Sequence, residues 1–413
     1  MTAYVVGAGL AGLGAATALA AERAPVELSE AAAQAGGRCR SYFDAQVGLT
    51  IDNGNHLVLS GNPAVRQYLE RIDAQPLTGP AAAKFPFVDL ATHQTWTVRP
   101  NPGAVPWWIL SAERGVPGAR FGDFLAMAGL LRARSDQRVD QAIRCSGPVW
   151  DKLMRPFLLA ALNTEPEAAS AELASQVIRE TLARGGAAYA PRLPAQGLAA
   201  TFINPALDYL EAQGARIRLK RRLLRIETQG DRVTALVFAD DRQPLGADDR
   251  VVLAVPPTVA VELLPGLQAP DRFEAILNGH FRRRAPAGAP AILGVLNGLV
   301  EWIFCFDDRI SVTVSGASRW MDTPREELAR RLWADVAQAL DLSDELPPWQ
   351  VVKEKRATFR ADVEQNARRP AAQTPLRNLV LAGDWIDTGL PATIEGALRS
   401  GAAAARLVRD AVA

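Results

Sequence analysis

Apolar positions run together at 3–6, give way to glycines at 7, 9 and 12, and return as an alanine-rich stretch to Ala21. A short unbroken apolar run ahead of glycines reads as a buried strand, and the stretch after them as a helix. A second run, Pro25-Val26-Glu27-Leu28, closes on Glu30. Residues 206–213 read as a helix. Gly214 then opens an alternating strand at 215–219, which Leu223, Leu224 and Ile226 continue after a basic interruption. Another strand covers 233–238 and leads to a polar turn with Asp240, Asp241, Pro244 and Gly246. Residues 251–255 have the continuous apolar character of a buried strand, which Pro256-Pro257 stop. A last parallel-type strand spans 379–382, ahead of Gly383-Asp384, and an alanine-rich helix over 393–412 closes the chain.

Two intervening stretches have a different character. Residues 76–195 are rich in proline, tryptophan and amphipathic helix, with a turn or two of helix at 124–131. Residues 289–315 alternate apolar and polar as antiparallel strands do, with Asn297-Gly298 as a hairpin turn. Thr323-Pro324-Arg325-Glu326 reads as a capping box with proline at the first helical position, opening an amphipathic helix through Leu340. The pattern predicts an α/β chain, α+β overall, with a Rossmann-like nucleotide domain in three segments, 1–75, 196–257 and 360–413. These interleave with a substrate domain of antiparallel sheet and helices, 76–195 and 258–359.

The N-terminal glycines carry the first chemistry. In Gly7-x-Gly9-x-x-Gly12, the first allows the tight turn, the second lets the backbone approach a pyrophosphate, and the third lets helix and strand pack closely. The helix that starts at Leu10 and Ala11 then presents free N–H groups and partial positive charge to the phosphates. Glu30, ~20 residues on, is placed to accept ribose hydroxyls. A carboxylate there disfavours a 2′-phosphate, so NAD or FAD is expected rather than NADP. Gly185-Gly186 has no strand before it and no third glycine, so the chain has one such turn and is expected to hold one dinucleotide tightly.

Composition narrows the classes. At 413 residues and 44.4 kDa the chain is expected to form two domains. The 46 basic residues balance 45 acidic ones, which gives no reason to expect nucleic acid. Cys39, Cys145 and Cys305 lie far apart, as in a reducing compartment without a disulfide framework. His56, His93 and His280 lack metal-ligand spacing, so no metal is expected. The first apolar stretch has no positive n-region, so a secretory signal is not expected, and no other apolar run reaches spanning length.

Gly36-Gly37-Arg38, the N-terminal glycines, Gly383-Asp384 and the stretch Pro391-Ala392-Thr393-Ile394-Glu395-Gly396-Ala397 with Ser400-Gly401 resemble the flavin-containing amine oxidase and phytoene desaturase superfamily. The resemblance implies non-covalent, extended FAD. A narrower match comes from Asp52-Asn53-Gly54-Asn55-His56, Leu158 to Thr164 and Glu354 to Phe359. These look like the squalene-associated FAD-dependent desaturases, the hydroxysqualene dehydroxylases of bacterial hopanoid biosynthesis, and the similarity runs almost end to end. It implies reductive removal of an allylic hydroxyl from hydroxysqualene to give squalene, with reduced FAD as hydride source.

Site residues follow from both kinds of reading. Gly37 and Arg38 are expected at the pyrophosphate, with the guanidinium as a bidentate donor. The dull reading is a surface arginine after a turn. By family position Leu223 offers backbone groups to the adenine, while Lys220-Arg221-Arg222 reads equally as a solvated edge. Asp384 is expected at ribityl or phosphate-side hydroxyls, and Thr393 and Ile394 at the ring end. Glu395 is read as an N–H supplier there or a plain first-turn acid. In the superfamily the glycine turn at Gly54 and Asn55 passes beside the isoalloxazine, so both are expected at the cofactor. Asn55 and His56 are the catalytic candidates, His56 as an imidazolium that protonates the leaving hydroxyl; the bland alternative is a histidine hydrogen-bonded in a turn.

The segments 107–110, 121–131 and 157–162 have the apolar content of a hydrocarbon tunnel and of an entrance lying on a bilayer. The expected location is cytoplasmic, peripheral on the inner face of the membrane, and no residue pattern names the electron donor. The runner-up functions are a carotenoid-type desaturase, an amine oxidase, and a prenyl-binding escort protein that keeps the fold without the flavin.

Overall fold

The computed structural model describes residues 1–111 and 113–410. β1 (Ala3–Val6) runs into α1 (Leu10–Ala21) and then β2 (Val26–Ser29). Both strands are buried along their length, which is why they read as apolar runs without alternation. They form a parallel five-stranded sheet, in the order Leu379–Leu381, Arg250–Leu253, β1, β2, Arg216–Arg218. The C-terminal helix Ile394–Asp410 packs along α1 beneath it. Positions 411 and 412 of the expected helix lie outside the described residues.

A second sheet has seven strands, ordered Trp349–Phe359, Phe273–Phe281, Ile310–Val314, Trp302–Cys305, Ile292–Leu296, Phe85–Asp89, Thr95–Val98. Every pairing is antiparallel except that of Ile292–Leu296 with Phe85–Asp89. Helix Arg325–Leu340 covers one face of this sheet through Leu328, Leu332, Trp333 and Val336. Helices Arg155–Leu162 and Ala171–Glu180 build the wall on the other side of the site, through Phe157, Ala160, Ala161 and Val177. Among the described residues, no helix is long and apolar enough to cross a membrane.

Three local expectations are corrected. Leu223, Leu224 and Ile226 do not continue strand Arg216–Arg218. They belong to Leu223–Gln229, in a separate antiparallel sheet with Arg232–Phe238 and Arg242–Pro244. Lys220, at φ +59°, turns the chain between the two sheets. Nor is the basic run a solvated edge throughout. Arg221 is 2 % exposed, with Nη1 at 2.7 Å from Glu27, Nη2 at 2.7 Å from Asp241, and its guanidinium carbon 3.7 Å from the centre of the Phe238 ring. It clamps β2 to the three-stranded sheet. Lastly, Thr323 caps nothing: Pro324 takes the N-cap place in extended conformation, without a side-chain cap, and the helix starts at Arg325.

The turn at Asn297 (φ +59°) is wider than an Asn-Gly pair requires, because Asp335 of the covering helix accepts from the Leu299 and Val300 N–H groups at 2.5 and 2.9 Å.

Candidate active site

Gly7 turns the chain at φ +105°, and a Cβ there would overlap the carbonyl oxygen of Ala254. One on Gly12 would overlap the carbonyl oxygen of Gly7. Gly9 is different: a Cβ would meet no atom within 4 Å, because the residue faces a cavity of about 870 Å³. Gly9 is also the N-cap of α1, with no side-chain cap and no acid in the first turn. The N–H groups at the start of α1, Leu10 and Ala11 among them, therefore lack a helical partner and face the cavity with the positive end of the helix. Gly36 closes over them, donating to the Ala8 carbonyl at 2.7 Å. This bare, positive cradle fits a diphosphate.

Glu30 lies beside it, its two oxygens accepting from the N–H groups of Ala8 and Ala32 at 2.8 Å each. Those bonds hold the carboxylate at the end of β2, in the cavity wall with Leu223.

At the other end of the cradle, Arg38 Nη2 sits 2.6 Å from Asp384 Oδ1, and Nη1 donates to the Ala357 carbonyl. The Asp384 carboxylate raises the arginine further above its ordinary range, so the guanidinium stays charged. Gly37, Gly54, Gly383, Thr393 and Ile394 all border the same cavity. Glu395 does something sequence reading missed. Its oxygens accept from Ala64 and Val65 N–H at 3.1 and 3.0 Å, at the start of α2 (Pro63–Arg71). Its carboxylate caps that helix across 330 positions of chain, while the residue also borders the cavity.

Beyond Gly54 the cavity opens between the seven-stranded sheet and the helices, lined by Phe85, Phe87, Trp108, Phe157, Trp302 and Phe304 among others. Polar side chains interrupt this apolar wall, Asn163, Ser315, Asn278 and Thr313 among them, and the last two are linked to the turn at Asn55. Asn278 Oδ1 accepts from Thr313 Oγ1 at 2.9 Å and from the Asn55 N–H at 3.2 Å. The Asn55 N–H fixes which end of the Asn278 amide is oxygen, and leaves its NH₂ beside Gly54 as a donor. Asn278 and Thr313 stand on strands far from residues 53–56 in sequence, and no local motif points to them.

The catalytic expectations change here. Asn55 Nδ2 donates to the Val312 carbonyl at 3.0 Å and to Thr313 Oγ1 at 3.2 Å, so its amide nitrogen pins the turn to the sheet. His56 lies in the cavity wall, where removal from bulk water and then the Arg38 charge push its imidazole down to about 4. That shift favours the neutral imidazole at neutral pH, against the expectation of an imidazolium acid. A different group has a suitable affinity for protons. Burial pushes the Glu301 carboxyl up to about 7, and its Oε2 accepts at 2.8 Å from the N–H of Ser315, a residue of the cavity wall.

A Rossmann cradle for an extended dinucleotide, opening through one cavity into an apolar chamber, defines an FAD-dependent oxidoreductase. The chain belongs to the flavin containing amine oxidoreductase family, whose model matches residues 10–409. It is 50 % identical over 405 residues to a hydroxysqualene dehydroxylase of Sinorhizobium fredii, covering 98 % of this chain and 97 % of that one. A hydroxysqualene dehydroxylase of Rhodopseudomonas palustris is 49 % identical over 409 residues, with 98 % of both chains covered. Among solved structures, cyclohexylamine oxidase from Brevibacterium oxydans superposes with a TM-score of 0.74 over 100 % of this chain and 99 % of its own, at 16 % identity. That last likeness is one of fold.

Proposed function

We propose that the chain catalyses the FAD-dependent reductive dehydroxylation of hydroxysqualene to squalene. The observation that carries the reading is a polar pair, Asn278 with Thr313, in a chamber of largely apolar and aromatic wall that is continuous with the dinucleotide cradle. The names of the relatives at 49–50 % identity support the same substrate.

In this reading Gly7, Gly9, Leu10, Ala11, Gly12 and Gly37 receive the pyrophosphate, with Arg38 charged beside it. Glu30 and Leu223 hold the adenosine end, Asp384 orients Arg38, and Gly54, Gly383, Thr393 and Ile394 border the ring. FAD, bound and reduced, supplies the hydride equivalent.

The protein groups do the rest. The Asn278 NH₂ and neutral His56 hold the substrate oxygen by hydrogen bonds. Hydroxide is a poor leaving group, so that oxygen must receive a proton before the C–O bond breaks. Glu301 stores the proton at neutral pH, and Ser315 stands between it and the cavity. The aromatic walls exclude water from the carbon that the oxygen leaves. The reading divides the chain into nucleotide segments 1–75, 196–257 and 360–413 and substrate segments 76–195 and 258–359. It also places the protein peripherally on a membrane, where a hydrocarbon substrate resides.

The test is incubation of anaerobically reduced protein with hydroxysqualene and mass analysis of the product. Squalene is the expected product. New double bonds in a polyene offered to the oxidised protein, with no squalene in the first experiment, would make it a desaturase.

A further inference from the structure

Ten large apolar side chains are exposed among the described residues, and five of them fall between positions 105 and 125. They are Val105, Trp107 (66 % exposed), Leu110, Phe121 and Leu125 (58 % exposed). Phe121 and Leu125 lie four apart on helix Phe121–Met127 and so share a face. Trp107 and Leu110 flank the 3₁₀ turn Trp107–Leu110. The two elements are locked together from within: the Trp108 ring meets Phe124 edge-on at 5.4 Å. The same Trp108 lines the substrate cavity, with Val98 and Pro100. The pair thus has Trp108 in the chamber wall, with Phe124 packed behind it, and apolar side chains in solvent outside.

The charge around this face has one sign in excess. Positions 99–134 carry five arginines, no lysine and two acids, Glu113 and Asp123. Arg99, Arg114, Arg120 and Arg132 are exposed, and among the described residues none has a carboxylate within ion-pair distance. The chain as a whole is nearly neutral at +1, so the excess is local. Tryptophan, leucine and phenylalanine ringed by unpaired arginines match an anionic lipid surface, into which the apolar side chains insert while the guanidinium groups meet headgroup phosphates.

We infer that this face is a docking surface for an anionic phospholipid bilayer, seated so that the substrate chamber opens next to the acyl chains. The inference rests on the proposed isoprenoid substrate for its purpose, but the surface is testable without it.

The experiment is co-sedimentation of the purified flavoprotein with vesicles of phosphatidylcholine alone or mixed with phosphatidylglycerol. The wild type should bind the mixed vesicles at least tenfold more strongly, with binding falling as salt rises. Trp107→Ser with Leu110→Ser, and separately Phe121→Ser with Leu125→Ser, should each lower vesicle binding at least tenfold while leaving flavin absorbance and thermal midpoint unchanged. Arg114→Glu with Arg120→Glu should abolish the preference for anionic lipid. Leu224→Ser with Val261→Ser, exposed elsewhere, serves as the control.

Absence of wild-type binding to either vesicle, or equal loss in the control, would overturn the inference. So would a dimer dissolved by the same serine substitutions in a protein that ignores vesicles. Turnover of detergent-dispersed hydroxysqualene, measured in parallel, should survive the serine variants. Vesicle binding without any such turnover would refute the proposed substrate and leave the docking surface standing.

Discussion

The two ends of the cavity are built from different material. At the nucleotide end the surface is main chain: bare glycines, helix-end N–H groups, and one carboxylate tied by two backbone donors. At the substrate end it is side chain, brought together from a turn and a strand more than 200 positions apart, as Asn55 and Asn278 are. A main-chain surface tolerates little substitution, because a Cβ on Gly7 or Gly12 would overlap a carbonyl oxygen and one on Gly9 would project into the cavity itself. A side-chain surface can be re-lined, and only its polar cluster is committed. One fold can therefore keep its dinucleotide and change its substrate.

The sharpest way to break this contrast is at Gly12. Gly12→Val should abolish flavin binding and cost several kcal/mol of stability, because the carbonyl oxygen of Gly7 occupies the place of the new Cβ. Full flavin absorbance in the purified variant would show that the cradle is not the rigid element described.

Next in size is the clamp behind the cradle. Arg221→Met removes the nearest partner of buried Glu27, leaving Arg216 and Arg218 at 3.6 Å each, and should cost about 2 kcal/mol in denaturant unfolding at neutral pH. A loss below about 1 kcal/mol would mean that β2 and the three-stranded sheet are held by other contacts.

These two predictions divide according to what a sequence can show. β1, β2 and strand Arg250–Leu253 are buried on both faces, so their apolar runs are legible without any knowledge of neighbours. The glycine turn is legible because its demands are local. Arg221 was misread because burial of a basic residue depends on Glu27 and Asp241 converging from separate sheets. Lys220 hides the change of sheet for the same reason: a left-handed residue leaves no pattern in hydropathy. Asn278, Thr313 and the cap that Glu395 gives to α2 are long-range pairings, invisible to any windowed reading.

The pH dependence comes third. An unfolded histidine takes up its proton below about 6.5, whereas folded His56 does so only near 4. Between those values the unfolded chain holds more protons, so stability must rise with pH across that window, by about 3 kcal/mol from this group. His280, buried and pushed down to about 3, adds a change of the same sign. His56→Gln should flatten the slope seen in urea midpoints between pH 4 and 6.5; an unchanged slope would return the imidazolium to consideration. Turnover, by contrast, should fall as pH rises through about 7, where Glu301 loses its proton, and Glu301→Gln should erase that limb.

The smallest effect sharpens the substrate end. Asn278→Leu removes the proposed donor to the substrate oxygen and should lower kcat roughly tenfold, with flavin retained, while the loss of its bonds to Thr313 and Asn55 costs about 1–2 kcal/mol of stability. If KM alone rises and kcat holds, the cluster binds the hydroxyl without assisting its departure.

The account as a whole requires that hydride source and substrate hydroxyl meet in one continuous cavity. Rapid mixing of fully reduced protein with hydroxysqualene, without oxygen or added reductant, tests this directly. Flavin reoxidation and squalene formation should share one rate and reach one squalene per flavin. Reoxidation without squalene, or squalene formed with the flavin still reduced, would contradict it.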